Sequence, residues 1–392
     1  MNLVSDITAR IPQSRDGDVV ILDPSAPNPV GFNPLAFRNS NNPTLVADAV
    51  LAVFQSVFAE NWGIRSQDVL SAALLTLAQC DGASLLWLPM LLTDESFRRK
   101  VTAGITDIGL APFWAGFEAM KDSERRQEIA PVLNKVRQFL LRPGLRNVLG
   151  QSSPKFNLAD LFTKKKIVLV PLNKGVIGSE SARLLGSLIV GLTWTLALSR
   201  AALPPERRHL VSVYIDELQD YLSLPTDLSD ALAQARGLGI GLTMAHQYRE
   251  QLPPDIRAGV DTNARNKIVF GLNAGDAKSM AAMAPELEPV DFMTLPRYRV
   301  YASVQAGGRN AGWVSGRTLP PPTATRNAAH IRAKSMEVYG RPAKEVEEEY
   351  LRQMGRDEIA DAVPAPSGDG ATGRGAAPSA PVGRRKRAQP DV

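Results

Sequence analysis

Five short apolar runs, separated by long helical stretches, constrain this chain more than any other feature. They are Val19–Pro24, Ile167–Pro171, Leu210–Ile215 ending in Asp216-Glu217, Ile240–Ala245 ending in His246-Gln247, and Lys267–Gly271. Runs of that length, rich in Val and Ile and closed by turn or charged residues, predict β-strands. Helical patterns at 178–200, 226–236 and 275–284 lie between the later strands. Strand and helix in alternation predict an α/β fold with a parallel, helix-covered sheet. The unbroken apolar character predicts strands buried on both faces.

The stretch from Pro43 to about Leu149 breaks this rhythm. Val46, Val50, Val53, Phe54, Val57 and Phe58 recur at helical spacing, and further helices are expected near 94–103, 113–121 and 124–141. With no strand-like run inside it, the region reads as an all-helical insertion. Past Arg297, a strand pair at 298–304 and 312–316 is expected to turn at Gly307-Gly308, followed by a polar helix from Pro342 to Met354. Residues 364–392 are rich in Pro, Gly, Ala and Ser and carry Arg384–Arg387, a composition that predicts disorder. No internal repeat is evident.

Charge and cysteine content exclude several classes. The net charge is +5, and the tail from Pro364 to Val392 supplies +3 of it, from five basic residues and two acids. The rest is nearly neutral, so nucleic-acid contact would have to come from local patches. Lys164–Lys166, Arg142 with Arg146, and Arg384–Arg387 are those patches; for each, a phosphate contact and a solvated face are both open. The single cysteine, Cys80, rules out an intrachain disulfide and a cysteine-based metal site. The first residues form no apolar signal core. Leu184–Leu198 is 15 residues of apolar chain, short of the roughly 20 a membrane span needs, and reads as a buried helix.

The chemistry concentrates at strand ends. Leu210–Ile215 delivers Asp216 and Glu217 to the carboxyl edge, where parallel α/β sheets bind ligands. ATP hydrolysis uses one carboxylate for the Mg²⁺ shell and another group to orient the attacking water, roles that suit Asp216, through water, and Glu217. Gln247 ends the next strand and could sense the γ-phosphate; neighbouring His246 lacks the partners of a catalytic histidine. Arg236 and Arg265 each precede a strand, positions from which a ring subunit could reach a neighbour's transferred charge. A phosphate cradle, G-x-x-x-x-G-K-[ST], is absent: the chain has no Gly-Lys pair. Gly271–Ser279, with Lys278, imitates one at the wrong spacing and with a repelling Asp276. Asn173–Gly178 has its lysine before the glycine and is equally poor.

Taken in order, several stretches resemble the type IV secretion coupling proteins, within the FtsK–HerA class of DNA-pumping ATPases. They are Ala9–Pro12 with Val19–Pro24, Gly31–Leu35, Ile167–Gly178 with Ser181–Gly186, Tyr214–Gln219, Ala235–Ile240, Ala245–Gln247, Asn263–Phe270 and Trp313–Pro320. The resemblance implies a RecA-like P-loop NTPase sheet, incomplete at its N-terminal side, with an inserted all-helical domain. It divides the chain into a first motor part (1–42), the insertion (43–155), the rest of the motor (156–325), C-terminal helices (326–363) and a disordered basic tail (364–392). It implies ATP and Mg²⁺ as cofactors and a homo-oligomeric ring around DNA. It further implies relaxosome, relaxase and secretion-channel partners, and a cytoplasmic place at the inner face of the membrane. Asp216 and Glu217 match the second nucleotide-binding motif and Gln247 the sensor glutamine. Arg236 and Arg265 fall where the family carries arginines, with the finger unassigned between them.

In that family, membrane helices and the phosphate loop precede the segment that begins here near Ser5. The comparison implies an N-terminal truncation, from a late start codon, a split gene or a loop supplied by another chain, and leaves hydrolysis by this chain alone in doubt. The alternative is a non-catalytic DNA- or relaxosome-binding subunit derived from such an ATPase.

Overall fold

The computed structural model describes residues 3–36, 43–221 and 228–355. The basic run Arg384–Arg387 and the expected disordered tail lie outside the described residues. A short helix α1 (Leu3–Thr8) leads to β1 (Val19–Ile21), which is fully buried. A Pro- and Asn-rich loop follows as far as Ala36.

Helices α2 (Pro43–Val57), α3 (Ile64–Ala78), α4 (Trp87–Thr93) and α5 (Glu95–Thr102) open that insertion. It continues through α6 (Leu110–Ala119), α7 (Asp122–Leu140) and α8 (Pro143–Leu149). Val46, Val50, Val53 and Phe54 form the buried face of α2, as their spacing predicts. Phe54 meets Phe139 of α7 edge to face at 5.8 Å. One charge is sunk in this core. Arg98 is 1% exposed, donates to Glu118 at 2.5 Å and to the Leu91 and Leu92 carbonyls, and lies over the Phe117 ring. Such burial is tolerable only with a counter-charge in place.

The chain returns through α9 (Asp160–Thr163) to β2 (Ile167–Leu169), parallel to β1 with Val19 opposite Ile167. After α10 (Lys174–Ile177) and α11 (Ser179–Ser199) comes β3 (Val211–Ile215). Helices α12 (Leu218–Tyr221) and α13 (Leu228–Ala235) precede β4 (Ile240–Met244), parallel to β3 with Val211 opposite Ile240. The helix α14 (Pro254–Asn263) precedes β5 (Lys267–Val269), and α15 (Ala274–Ala281) and α16 (Pro289–Met293) precede β6 (Arg299–Ala306) and β7 (Arg309–Arg317). The last three strands are antiparallel, and the β6–β7 turn falls at Gly307-Gly308 as expected.

Two expectations need correction. The described strands form three separate small sheets, β1–β2, β3–β4 and β5–β6–β7, and β5, expected to belong to the parallel set, pairs antiparallel with β6. Nor is β3 buried on both faces. Val211, Val213 and Ile215, with Ile240, Leu242 and Met244 beside them, pack under α11 and α13. The other face leaves Tyr214 75% exposed and is flanked by Leu210 at 69%. The sequence L-V-S-V-Y-I carries this period of two in Ser212 and Tyr214, which a strand buried on one face requires.

The helix from Ser179 to Ala202 is the one described stretch long and apolar enough to cross a membrane, yet two-thirds (67%) of its apolar window is buried inside the fold. It is the core helix α11, as expected for Leu184–Leu198. The lysine run at 164–166 sits at the start of β2 and is largely tied down. Lys164 pairs with Asp160, Lys166 pairs with Asp18 and lies over Tyr339, and the Lys165 carbonyl accepts from Arg15.

Two C-terminal helices, α17 (Ala328–Tyr339) and α18 (Ala343–Gln353), bind both halves of the fold together. On the sheet side, the Ile21 amide donates to Ser335 Oγ at 2.8 Å, and Arg326 and Arg332 pair with Asp16 and Asp23. On the helical side, Arg146 pairs with Glu347, and Trp87 Nε1 donates to Gln353 at 2.8 Å.

Candidate functional site

The carboxyl ends of β3 and β4 lie side by side. The parallel ladder runs past both strands: the Ala245 amide donates to the Ile215 carbonyl and the Leu218 amide to the Ala245 carbonyl, each at 2.9 Å. This places Asp216, Glu217, His246 and Gln247 at one edge. Gln247 Nε2 donates to Glu217 Oε1 at 2.7 Å, and Gln219 Nε2 donates to Glu217 Oε2 at 2.6 Å. Both carboxylate oxygens are thus fixed, and hydrogen bonds from Gln219 and then Gln247 hold the Glu217 carboxyl below its ordinary range. Asp216 remains exposed.

The turn that aims Glu217 is strained. Its φ is +56°, a left-handed conformation uncommon for a residue with a β-carbon. Strain of this kind costs of order 1–3 kcal/mol and clusters where geometry serves a ligand. Below it, Tyr221 packs on α11 at Gly186, where an added β-carbon would come within 2.4 Å of the ring. Burial first, then the nearby Asp220, Glu217 and Asp216 carboxylates, push the Tyr221 phenol up to about 12. Lys174 of α10 closes the same edge through an ion pair with Asp220.

Gln247 is held from behind by residues that no sequence motif singled out. Gln251 Oε1 accepts from the Gln247 and Tyr248 amides at 3.2 Å. The Arg249 amide donates to buried Asp276, and its guanidinium makes a bidentate pair with Asp261 of α14, at 2.7 and 2.5 Å. These partners are 12 and 27 residues away, so only the tertiary fold reveals them. Gln219 was legible only as part of the Tyr214–Gln219 stretch.

Arg236 and Arg265 are elsewhere. Both line a cleft of about 480 Å³ beside β4, with Asn263, Asn266 and Gln305. Arg236 precedes the amino end of β4 while Gln247 follows its carboxyl end, and five strand residues separate those ends by roughly 17 Å. Within one chain, therefore, Arg236 does not join the Glu217–Gln247 pair. Gly271–Ser279 makes no cradle: Asn273 Oδ1 already caps the Asp276 amide, Asp276 is buried, and Lys278 is exposed on α15. Among the described residues, no group of His, Cys, Asp and Glu is placed to hold a metal ion directly.

The fold is a set of small sheets, two of them parallel, with acids and a glutamine at the carboxyl edge of one and an all-helical insertion beside them. Solved structures of the bacterial conjugative coupling protein TrwB share it. The unbound form of TrwBdeltaN70 superposes with a TM-score of 0.57 at 19% identity, over 83% of this chain and 79% of that one. TrwB with a non-hydrolysable ATP analogue gives 0.57 at 17%, over 82% and 78%. TrwB with ADP and Mg²⁺ gives 0.52 at 18%, over 82% and 79%. No family model and no curated relative matches the chain.

Proposed function

We propose that this chain is the motor portion of a DNA-translocating ATPase that couples DNA to a conjugative type IV secretion channel. The observation that carries the reading is the 2.7 Å bond between Glu217 and Gln247 at the carboxyl edge of β3 and β4, with Asp216 open beside it. Asp216 holds the hydrated Mg²⁺ of ATP, Glu217 orients the attacking water, and Gln247 reports the γ-phosphate to α14 through Arg249 and Asp261. The nucleotide complexes of TrwB support ATP and Mg²⁺ as cofactors. Arg236 or Arg265 would act on a neighbouring subunit's site in a ring around DNA. Relaxosome and channel proteins would be the partners, at the cytoplasmic face of the membrane. The phosphate loop is absent from these 392 residues, and the motor works only when a loop is brought to this edge.

The test is DNA transfer between cells carrying variants at normal protein levels. Losing a positioned general base costs about 10²–10⁴-fold, so Glu217→Gln should lower transfer frequency at least about 100-fold, while Lys278→Ala should not. The lack of any Gly-Lys pair favours one rival, a non-catalytic DNA- or relaxosome-binding subunit. That rival predicts that deleting the gene abolishes transfer while Glu217→Gln transfers normally.

A further inference from the structure

The base of the β6–β7 hairpin sets two positive charges face to face. Arg299 and Arg317 are directly opposite in the antiparallel register. The Thr318 amide donates to the Tyr298 carbonyl at 2.8 Å, which makes those two residues a hydrogen-bonded pair and Arg299 and Arg317 the open pair beside it. Side chains stand closest at open pairs, whose Cα atoms are about 4.5 Å apart, and like charges there oppose the sheet. Arg297 brings a third cation to the same place. All three arginines are exposed, and among the described residues no carboxylate pairs with any of them.

Between the arginines the chain presents a ring. Tyr298 is 57% exposed, and the Arg297 guanidinium lies over it, 5.4 Å from its centroid. Its φ is +67°, a left-handed conformation uncommon for a bulky residue. The turn is held in that shape. The Tyr298 carbonyl also accepts from the Thr318 hydroxyl at 3.3 Å, and the Arg299 amide donates to the Pro296 carbonyl at 3.1 Å.

We infer that this cluster binds single-stranded DNA, with backbone phosphate between Arg299 and Arg317 and an unstacked base on Tyr298. Phosphate supplies the negative charge that the fold leaves out, and planar guanidinium forks match its oxygens. An exposed aromatic ring beside arginine is a stacking platform for a base. An acidic peptide or a lipid headgroup would satisfy the arginines but has no use for the ring. A duplex offers phosphates but keeps its bases stacked. The contact lies outside the Glu217–Gln247 pair and holds whether or not ATP is turned over.

The probe is a fluorescent oligothymidylate of about 20 nucleotides, titrated by anisotropy with the 392-residue chain, without ATP, between about 50 and 200 mM salt. On logarithmic axes, single-strand affinity falls with salt at a slope of about 0.7 per phosphate neutralised. Arg299→Gln with Arg317→Gln should therefore flatten the slope by about 1.4 and weaken binding at least about 10-fold, while Lys278→Gln alters neither. Tyr298→Leu should weaken binding about 10-fold at an unchanged slope, and Tyr298→Phe should bind normally. Arg317→Glu is the control for folding. It sets opposite charges across the pair, so the urea midpoint should hold or rise while DNA binding is lost. Unchanged affinity and slope in the double variant would overturn the inference, as would equal affinity for a duplex of the same length or tighter binding to phosphatidylserine vesicles. DNA binding as described, with normal transfer by Glu217→Gln, keeps this site and sinks the motor reading. Transfer lost in Glu217→Gln, with no DNA held here, does the reverse.

Discussion

Replacing Asp261 with Asn tests what holds Gln247 in place. Arg249 is 11% exposed at its side chain and Asp261 25%, and two hydrogen bonds of 2.7 and 2.5 Å join them. Removing one partner of a fully buried pair costs about 3–5 kcal/mol, chiefly for the charge left unpaired. Water at the quarter-exposed Asp261 screens part of that, so about 2 kcal/mol is expected. The loss should appear locally, because the Arg249 amide is bonded to Asp276 and the Gln247 amide to Gln251. Local opening easier by that amount raises amide exchange at Arg249 about 30-fold. Exchange at Val20 and Leu74, buried far along the chain, should stay within about twofold. Pairing Asp261→Leu with Arg249→Met removes both charges and should restore most of the protection. If Asp261→Asn folds and exchange at Arg249 changes less than threefold, the pair does not anchor the loop.

Three further outcomes follow from the same structure. Glu217 has its folded pKa depressed, so the ionised form adds stability above the ordinary value of 4.5, and that contribution is lost as pH falls through the depressed value; acid titration of Glu217→Gln should show a shallower fall over that window. Gly239→Ala should destabilise by about 2 kcal/mol, read as a lower urea midpoint, because φ is +72° and the new β-carbon would sit 2.7 Å from the Arg208 carbonyl. Deleting residues 328–392 should expose β1, seen as faster amide exchange at Ile21 and as dye binding, whereas deleting 356–392 should change neither.

Much of this was legible before any coordinates. β3 ended at its Asp-Glu closure, β1 and β4 stopped one residue short of Asp-Pro and His-Gln, and the hairpin turned at Gly307-Gly308, because local chemistry decides such boundaries. The meeting of Glu217 with Gln247 could be anticipated, since adjacent parallel strands bring their carboxyl ends together. The half-open β3–β4 face was missed although Ser212 and Tyr214 announced it, because the run was judged by its mean apolarity and not by its alternation. The helix α14 starts at Pro254, a signal for a first turn that went unread. The Arg249–Asp261–Asp276 anchor had no local signature at all.

The ties made by α17 also order the life of the chain in time. The first strand completes its outer edge only when Ser335 arrives, 314 residues after Ile21. A ribosome adding about 5–20 residues per second needs tens of seconds to span that interval. During synthesis the inner core of the helical insertion, Phe54 on Phe139 for example, is within reach long before Ser335 is. The β1 segment, made long before Ser335, is therefore among the last to find its final setting, and until then its bare edge is one for chaperones to guard.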